Sequence, residues 1–140
     1  DFYLDTLDLR QFITFLGPYT QENGPTIYQK ADAYITMSFQ DNCPSAVIEA
    51  MSCGLPILYS ASGGIPELVG KDSGIGLKVS EDWEKVIVPT KQEIYEGILK
   101  IIDNEKSMSG NSRGRAEKLF GIDSWISRHE EVFDFLINDN

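Results

Sequence analysis

With 22 acidic against 12 basic side chains, this chain of 140 residues carries a formal net charge of −10, which argues against nucleic acid and against direct adhesion to an anionic lipid surface. Its length makes one domain with room for a core. Two cysteines and one histidine cannot assemble a zinc cluster, no apolar run approaches the roughly 18 residues of a membrane span, and the N-terminus lacks the basic-then-apolar order of a signal peptide, so the chain reads as soluble.

The first predicted element is a strand over residues 12–16, running into Gly17, followed by a short helix over 26–30 and a strand over 33–37. Residues 38–43 then form a loop, and a helix over 44–53 follows. Asn42 or Cys43 can cap it, Pro44 suits its first position because the missing N–H would be an orphan there, and Gly54 falls where a left-handed C-terminal residue belongs. A strand over 56–59, backbone punctuation at Gly63-Gly64, a short helix over 66–69 opened by Pro66 and a strand over 76–79 complete the alternation. Strand-then-helix order predicts a parallel sheet covered on both faces, with ligands beyond the carboxyl ends of the strands, where residues 38–43 lie.

Beyond Val79 the pattern changes. Residues 80–89 read as an acidic loop containing Trp83, and Thr90-Lys91-Gln92-Glu93 is a capping box opening a helix that keeps Ile94, Ile98, Ile101 and Ile102 in helical spacing. That helix is expected to stop near Asn104, and a second one, interrupted around 110–114, to end near Phe120. Asp123 or Ser124 is the expected cap of a last helix whose Trp125, Ile126, Val132, Phe133, Leu136 and Ile137 read as core.

The chemistry concentrates around the helix over 44–53. Between Asp41 and Glu67 only Glu49 is charged, and a carboxylate set among Val47, Ile48, Ala50 and Met51 is expected to face a cavity whose occupant it grips. Glu49 lies roughly 8 Å along the helix at about 1.5 Å per residue, and helical side chains lean toward the N-terminus, so its carboxylate returns toward Asp41. Between the two acids, the free N–H groups of Ser45 and Ala46 at the positive end of the helix favour an anion. Two hydroxyl-accepting acids bracketing such a helix end fit a sugar joined to a phosphate.

Blander readings exist for each residue taken alone. Asp41 suits a turn, Glu49 an ion pair with a base such as Lys30, Tyr19 simple packing rather than a base pocket, and His129 a solvated helical face. Cys43 and Cys53 bracket one helix about 15 Å apart, beyond disulfide reach, which suggests a reducing compartment.

Tyr34-Ile35, Ser38, Asp41, Glu49-Ala50-Met51, Cys53-Gly54-Leu55-Pro56 and Gly63-Gly64-Ile65-Pro66-Glu67-Leu68-Val69 together resemble the C-terminal, donor-binding domain of retaining GT-B glycosyltransferases of the group-1 type. The resemblance extends to Ile13-Thr14-Phe15-Leu16-Gly17 and to Tyr28-Gln29-Lys30-Ala31-Asp32-Ala33, and more weakly to 76–79 and 120–125. It implies an α/β fold, a Rossmann-like parallel sheet with helices on both faces, in which residues 1–140 are a single partial domain and the acceptor-binding N-terminal lobe is absent. The implied donor-binding set is Asp41, Asn42, Ser45, Ala46 and Glu49. Glu49 would hold the ribose hydroxyls, while Asp41, separated from it by seven residues and one methylene shorter than the family's Glu, would position the transferred sugar. Pro44 stands where the family often has Gly, which leaves the phosphate contact to Ser45 and Ala46.

The activity this resemblance implies is transfer of a glycosyl group from a nucleotide-diphosphate sugar to an acceptor hydroxyl with retention, in glycan or polysaccharide synthesis. No catalytic nucleophile, metal or other cofactor is expected. The implied partners are the nucleotide-sugar donor and a glycan or lipid-linked acceptor reached through the absent lobe. Only Arg10 and Lys30 precede Glu67, so the cations for the diphosphate are expected upstream of Asp1. The implied location is cytoplasmic, with contact at the inner membrane face through the absent lobe as an option, and the last helix is expected to lean toward that lobe with aromatic surface exposed. The alternatives are a GT-B epimerase or phosphorylase and a non-catalytic nucleotide-sugar binding module. A phosphoacceptor receiver domain is disfavoured because no acidic pair closes an early strand.

Overall fold

The run Leu55-Pro56-Ile57-Leu58-Tyr59-Ser60 has no polar face, which suits only a strand covered on both sides. In the computed structural model, which describes residues 2–138 other than 81 and 83 and the side chains of these from residue 4 onward, it forms β2 (Ile57–Ala61) at the centre of a three-stranded sheet. β1 (Tyr34–Thr36) and β3 (Gly74–Lys78) flank it, both parallel, with Tyr34 opposite Ile57 and Ile57 opposite Gly74. The loop aromatic Trp83 lies outside the described residues.

Ahead of the sheet stand α1 (Phe2–Thr6) and α2 (Gly24–Tyr28), the latter two residues earlier than the sequence suggests because Pro25 takes a place in its first turn. α3 (Ser45–Ser52) connects β1 to β2 and α4 (Ile65–Val69) connects β2 to β3. One core lies beneath them, built from Val47, Ala50 and Met51 of α3, Ile65 and Val69 of α4, Tyr28, and the Ile57 and Tyr59 face of β2. On the opposite face Leu58 and Leu77 pack with Ile101. Burying each of the Val, Leu, Ile and Met side chains among these contributes about 1.5–3 kcal/mol.

The strand expected over 12–16 is absent. Arg10–Phe12 forms a 3-10 turn and Phe12, Phe15 and Leu16 stand 76%, 74% and 66% exposed. A strand needs a ladder partner, and among the described residues β1 pairs only with β2.

The capping box forms as read: the Glu93 N–H lies 3.3 Å from the Thr90 hydroxyl, and the Glu93 carboxylate accepts from the Thr90 N–H at 2.8 Å; the Thr90 hydroxyl, 2.7 Å from that carboxylate, and then the N–H hold the Glu93 carboxyl below its usual range. The stop near Asn104 and the interruption at 110–114 do not occur. One helix, α5 (Lys91–Phe120), runs 30 residues and passes from the Leu58 face to the α3 face. Tertiary bonds hold its second half. The buried Ser112 hydroxyl sits 2.8 Å from the Leu55 carbonyl and 3.1 Å from that of Ser73, and Arg115 donates to the Leu68 and Glu67 carbonyls at 2.7 Å each. Such bonds outweigh the roughly 1 kcal/mol cost of each helical glycine.

A methyl group at Gly110 or Gly114 would meet nothing within 4 Å. Gly110→Ala and Gly114→Ala should therefore each stabilise the fold by about 1 kcal/mol and raise Tm by about 3 °C in thermal melts, and a lowered Tm would contradict the helical assignment there.

α6 (Ile122–Asn138) starts one residue before the expected caps, after Gly121 leaves the helical region at φ −65, ψ 143. Its apolar stripe is not core. None of its residues is buried, with Trp125 51% and Ile137 73% exposed, because α6 packs chiefly on α5.

Candidate functional site

The loops at the carboxyl ends of β1 and β2 rest on each other. Gln40 adopts a left-handed backbone at φ +53, unusual for a side chain with a Cβ, and its N–H donates to the Ser62 hydroxyl at 3.1 Å. Ser62 is buried, and its hydroxyl donates in turn to the Ser38 carbonyl at 3.4 Å. A Cβ at Gly63 would fall 2.5 Å from the Asp41 carbonyl oxygen, and one at Gly64 would fall 1.9 Å from that of Asn42. The Gly64 N–H donates to the Asp41 carbonyl at 3.0 Å. Gly63-Gly64, read from sequence chiefly as punctuation before a helix, is thus the seat on which the backbone of residues 40–42 lies. Asp41 is half-buried, and its carboxylate makes no hydrogen bond among the described residues.

Pro44, expected as the first helical residue, is instead the N-cap of α3 at φ −67, ψ 113. An N-cap needs an extended ψ, which the proline ring permits, and neither Asn42 nor Cys43 supplies a side-chain cap. The N–H groups of Ser45 and Ala46 consequently have no acceptor among the described residues. Gly54 takes φ +81 as the helix-ending residue, and both cysteines are free.

Glu49 lines a cavity of about 210 Å³ together with Tyr19, Gly24, Tyr28, Ser52 and Cys53. Among the described residues its carboxylate has no ion pair with Lys30 or any other base. Two phenols serve it instead: the Tyr19 hydroxyl donates to Oε2 at 2.6 Å and that of Tyr28 lies 3.3 Å from the same oxygen, with the two hydroxyls 2.7 Å apart. The bond to Glu49 raises the Tyr19 phenol above its ordinary range, and burial does the same for Tyr28. Tyr34 is raised by burial first and then by the negative fields of Tyr19, Glu49 and Asp41, so both acids act on one phenol. Asp41 does not line the Glu49 cavity. Ala46 lines a neighbouring, largely apolar cavity of about 270 Å³ that shares Tyr19 and Tyr28 with the first.

Tyr28 received no role from sequence, and Tyr19 read as packing. The only signal available was a pair of tyrosines nine residues apart, one before a short helix and one in it, which says nothing of Glu49. His129 on α6 is exposed, stacked on Trp125 at 3.8 Å with Nδ1 2.7 Å from the Trp125 carbonyl oxygen. No described helix is long and apolar enough to cross a membrane.

The sequence model described as "Glycosyl transferases group 1" matches residues 3–117. The D-inositol 3-phosphate glycosyltransferase of Mycobacteroides abscessus is 35% identical over 85 residues, covering 58% of this chain and 19% of that protein. The O-antigen chain mannosyltransferase B of Escherichia coli is 36% identical over 64 residues, 46% of this chain and 16% of that protein. The chain thus spans less than a fifth of these two relatives. Among solved structures, sucrose-phosphate synthase from Thermosynechococcus elongatus superposes with a TM-score of 0.77 at 22% identity over 99% of this chain and 33% of that one. Anabaena HepE, solved in complex with UDP and glucose, does so with a TM-score of 0.70 at 21% identity over 93% and 34%. At those identities the two structures speak to the fold.

Proposed function

On the premise that this chain belongs to the glycosyl transferases group 1 family and has the Rossmann-like α/β fold of a GT-B lobe, we propose that it is the donor-binding part of a glycosyltransferase. The substrate is a nucleotide-diphosphate sugar, and the glycosyl group passes to an acceptor hydroxyl with retention, in glycan or polysaccharide synthesis. The observation that carries this reading is a carboxylate held as an acceptor inside a cavity by two phenols, on a helix whose first N–H groups are unoccupied.

Glu49 accepts from the ribose hydroxyls. Ser45 and Ala46 donate backbone N–H groups to the diphosphate, beside Asn42. Asp41, braced through its backbone by Gly64 and carrying an unoccupied carboxylate, accepts from hydroxyls of the transferred sugar. Charge that develops on the leaving diphosphate is met by amides and cations, so the reading needs neither a side-chain nucleophile nor a metal. Arg10 is engaged with Asp5 at 2.7 Å, and with a chain charge of −10 the diphosphate cations and the acceptor site are assigned to a further lobe of the protein; the protein is placed in the cytoplasm, with any membrane contact made through that lobe. A UDP and glucose complex of a structural neighbour supports a nucleotide-sugar donor.

Calorimetric titration of the full-length protein with UDP, GDP and ADP is expected to show one of them binding, and product analysis with a sugar acceptor to show the donor's anomeric configuration kept. An inverted product would refute retention. Donor isomerised without acceptor would identify an epimerase, and binding without any turnover would identify the non-catalytic module.

A further inference from the structure

We propose that Tyr19 is a positioning residue for Glu49, setting the carboxylate in the orientation from which it accepts a ribose diol. The inference rests on the donor reading above and extends it to a residue outside the acid pair.

The Tyr19 ring is itself fixed on two sides. It lies flush on Gly24, where a Cβ would come within 3.1 and 3.2 Å of ring carbons Cδ2 and Cε2, and it stands edge-on to Tyr28 at 5.7 Å and 82°. A ring held this way presents its hydroxyl at a set point. That hydroxyl meets Glu49 Oε2 at 2.6 Å, a short charge-assisted bond, and lies 2.7 Å from the Tyr28 hydroxyl. Each phenol owns one proton. The Tyr19 proton goes to Glu49, and the Tyr28 proton goes to the Tyr19 oxygen or to Oε2 directly, so the donor chain from Tyr28 ends on one carboxylate oxygen.

The consequence is an asymmetric carboxylate. Oε2 takes the phenol donation, whereas Oε1 receives no protein donor among the described residues. An ionised carboxylate has about four acceptor sites, two on each oxygen, so both lone pairs of Oε1 stay open for two vicinal hydroxyls. With no base nearby to do it, the phenols fix the side chain that a cation would otherwise fix. Tyr19 is 40% exposed and forms a wall of both cavities beside Glu49, within reach of an incoming nucleotide.

The test compares Tyr19→Phe and Glu49→Gln with the unaltered full-length protein by calorimetry, using UDP, GDP and ADP and their 2′-deoxy counterparts. Tyr19→Phe keeps the ring and its packing. It is expected to weaken the best-bound ribonucleotide by about tenfold and its 2′-deoxy counterpart by about threefold or less, narrowing the ribose preference. A residue that only packs would move both nucleotides equally or neither. An equal loss, no loss or a gain therefore overturns the positioning role while Glu49→Gln still weakens binding about 100-fold. If none of the three nucleotides binds the unaltered protein, or Glu49→Gln binds as well as the unaltered protein does, the donor reading itself fails.

Discussion

Glu49→Gln is expected to weaken binding of the donor nucleotide by about 100-fold. The amide keeps one acceptor oxygen and turns the other into a donor. Tyr19 would compete for that remaining oxygen, leaving an NH2 group facing two hydroxyls that also need acceptors. Hydrogen bonds to a charged acceptor contribute about 1.5–3 kcal/mol each. Losing roughly 3 kcal/mol is a factor of about 100 at 1.4 kcal/mol per decade. Gln has nearly the helix propensity of Glu, and position 49 is only half-buried, so Tm should stay within about 2 °C. Most of the loss should fall on the donor KM, with kcat at saturating donor less affected, because the ribose contact is made in ground and transition states alike. Unchanged donor affinity would refute the ribose role.

Gly64→Ala should be the most disruptive single methyl in the molecule's site. Its Cβ would stand 1.9 Å from the Asn42 carbonyl oxygen, a distance no packing adjustment of a side chain relieves because both partners are backbone. One loop must lift off the other. The Gly64 to Asp41 bond and the Gln40 to Ser62 bond would go with it, and the left-handed Gln40 would lose what holds it. A cost of about 3 kcal/mol, or about 10 °C in Tm, is expected, together with more than tenfold loss of transfer activity as the Asp41 carboxylate leaves its place. Thermal melts and donor kinetics on the same variant test both parts. Wild-type Tm and turnover would show that the two loops do not brace each other. Gly110→Ala, which adds the same methyl in open space, is the internal control and moves Tm the other way.

The two glycine effects have opposite sign for a reason the sequence cannot display. In both places it shows a glycine near an element boundary or a suspected break. At Gly110 and Gly114 the local signal, an interrupted helix, loses to the tertiary bonds of Ser112 and Arg115, which bind α5 across the sheet edge. At Gly64 the local signal, a turn before a helix, is right, but the closer constraint comes from a loop more than twenty residues upstream. Likewise the strand expected at 12–16 and the core expected on α6 were reasonable patterns whose partners do not lie beside them among the described residues.

Spacing within one helix or loop is a short-range property. It was enough for the β1-α3-β2-α4-β3 alternation, the Thr90 capping box, a lone carboxylate at Glu49 facing a cavity, and the family. Whatever depends on segments distant along the chain meeting in space was left to the tertiary structure: Tyr19 and Tyr28 converge on Glu49, 30 and 21 residues away, only because α2 packs against α3. The acid was legible because nothing else near it is charged. Its partners were not, because a tyrosine's hydroxyl carries no pattern until the fold brings an acceptor to it.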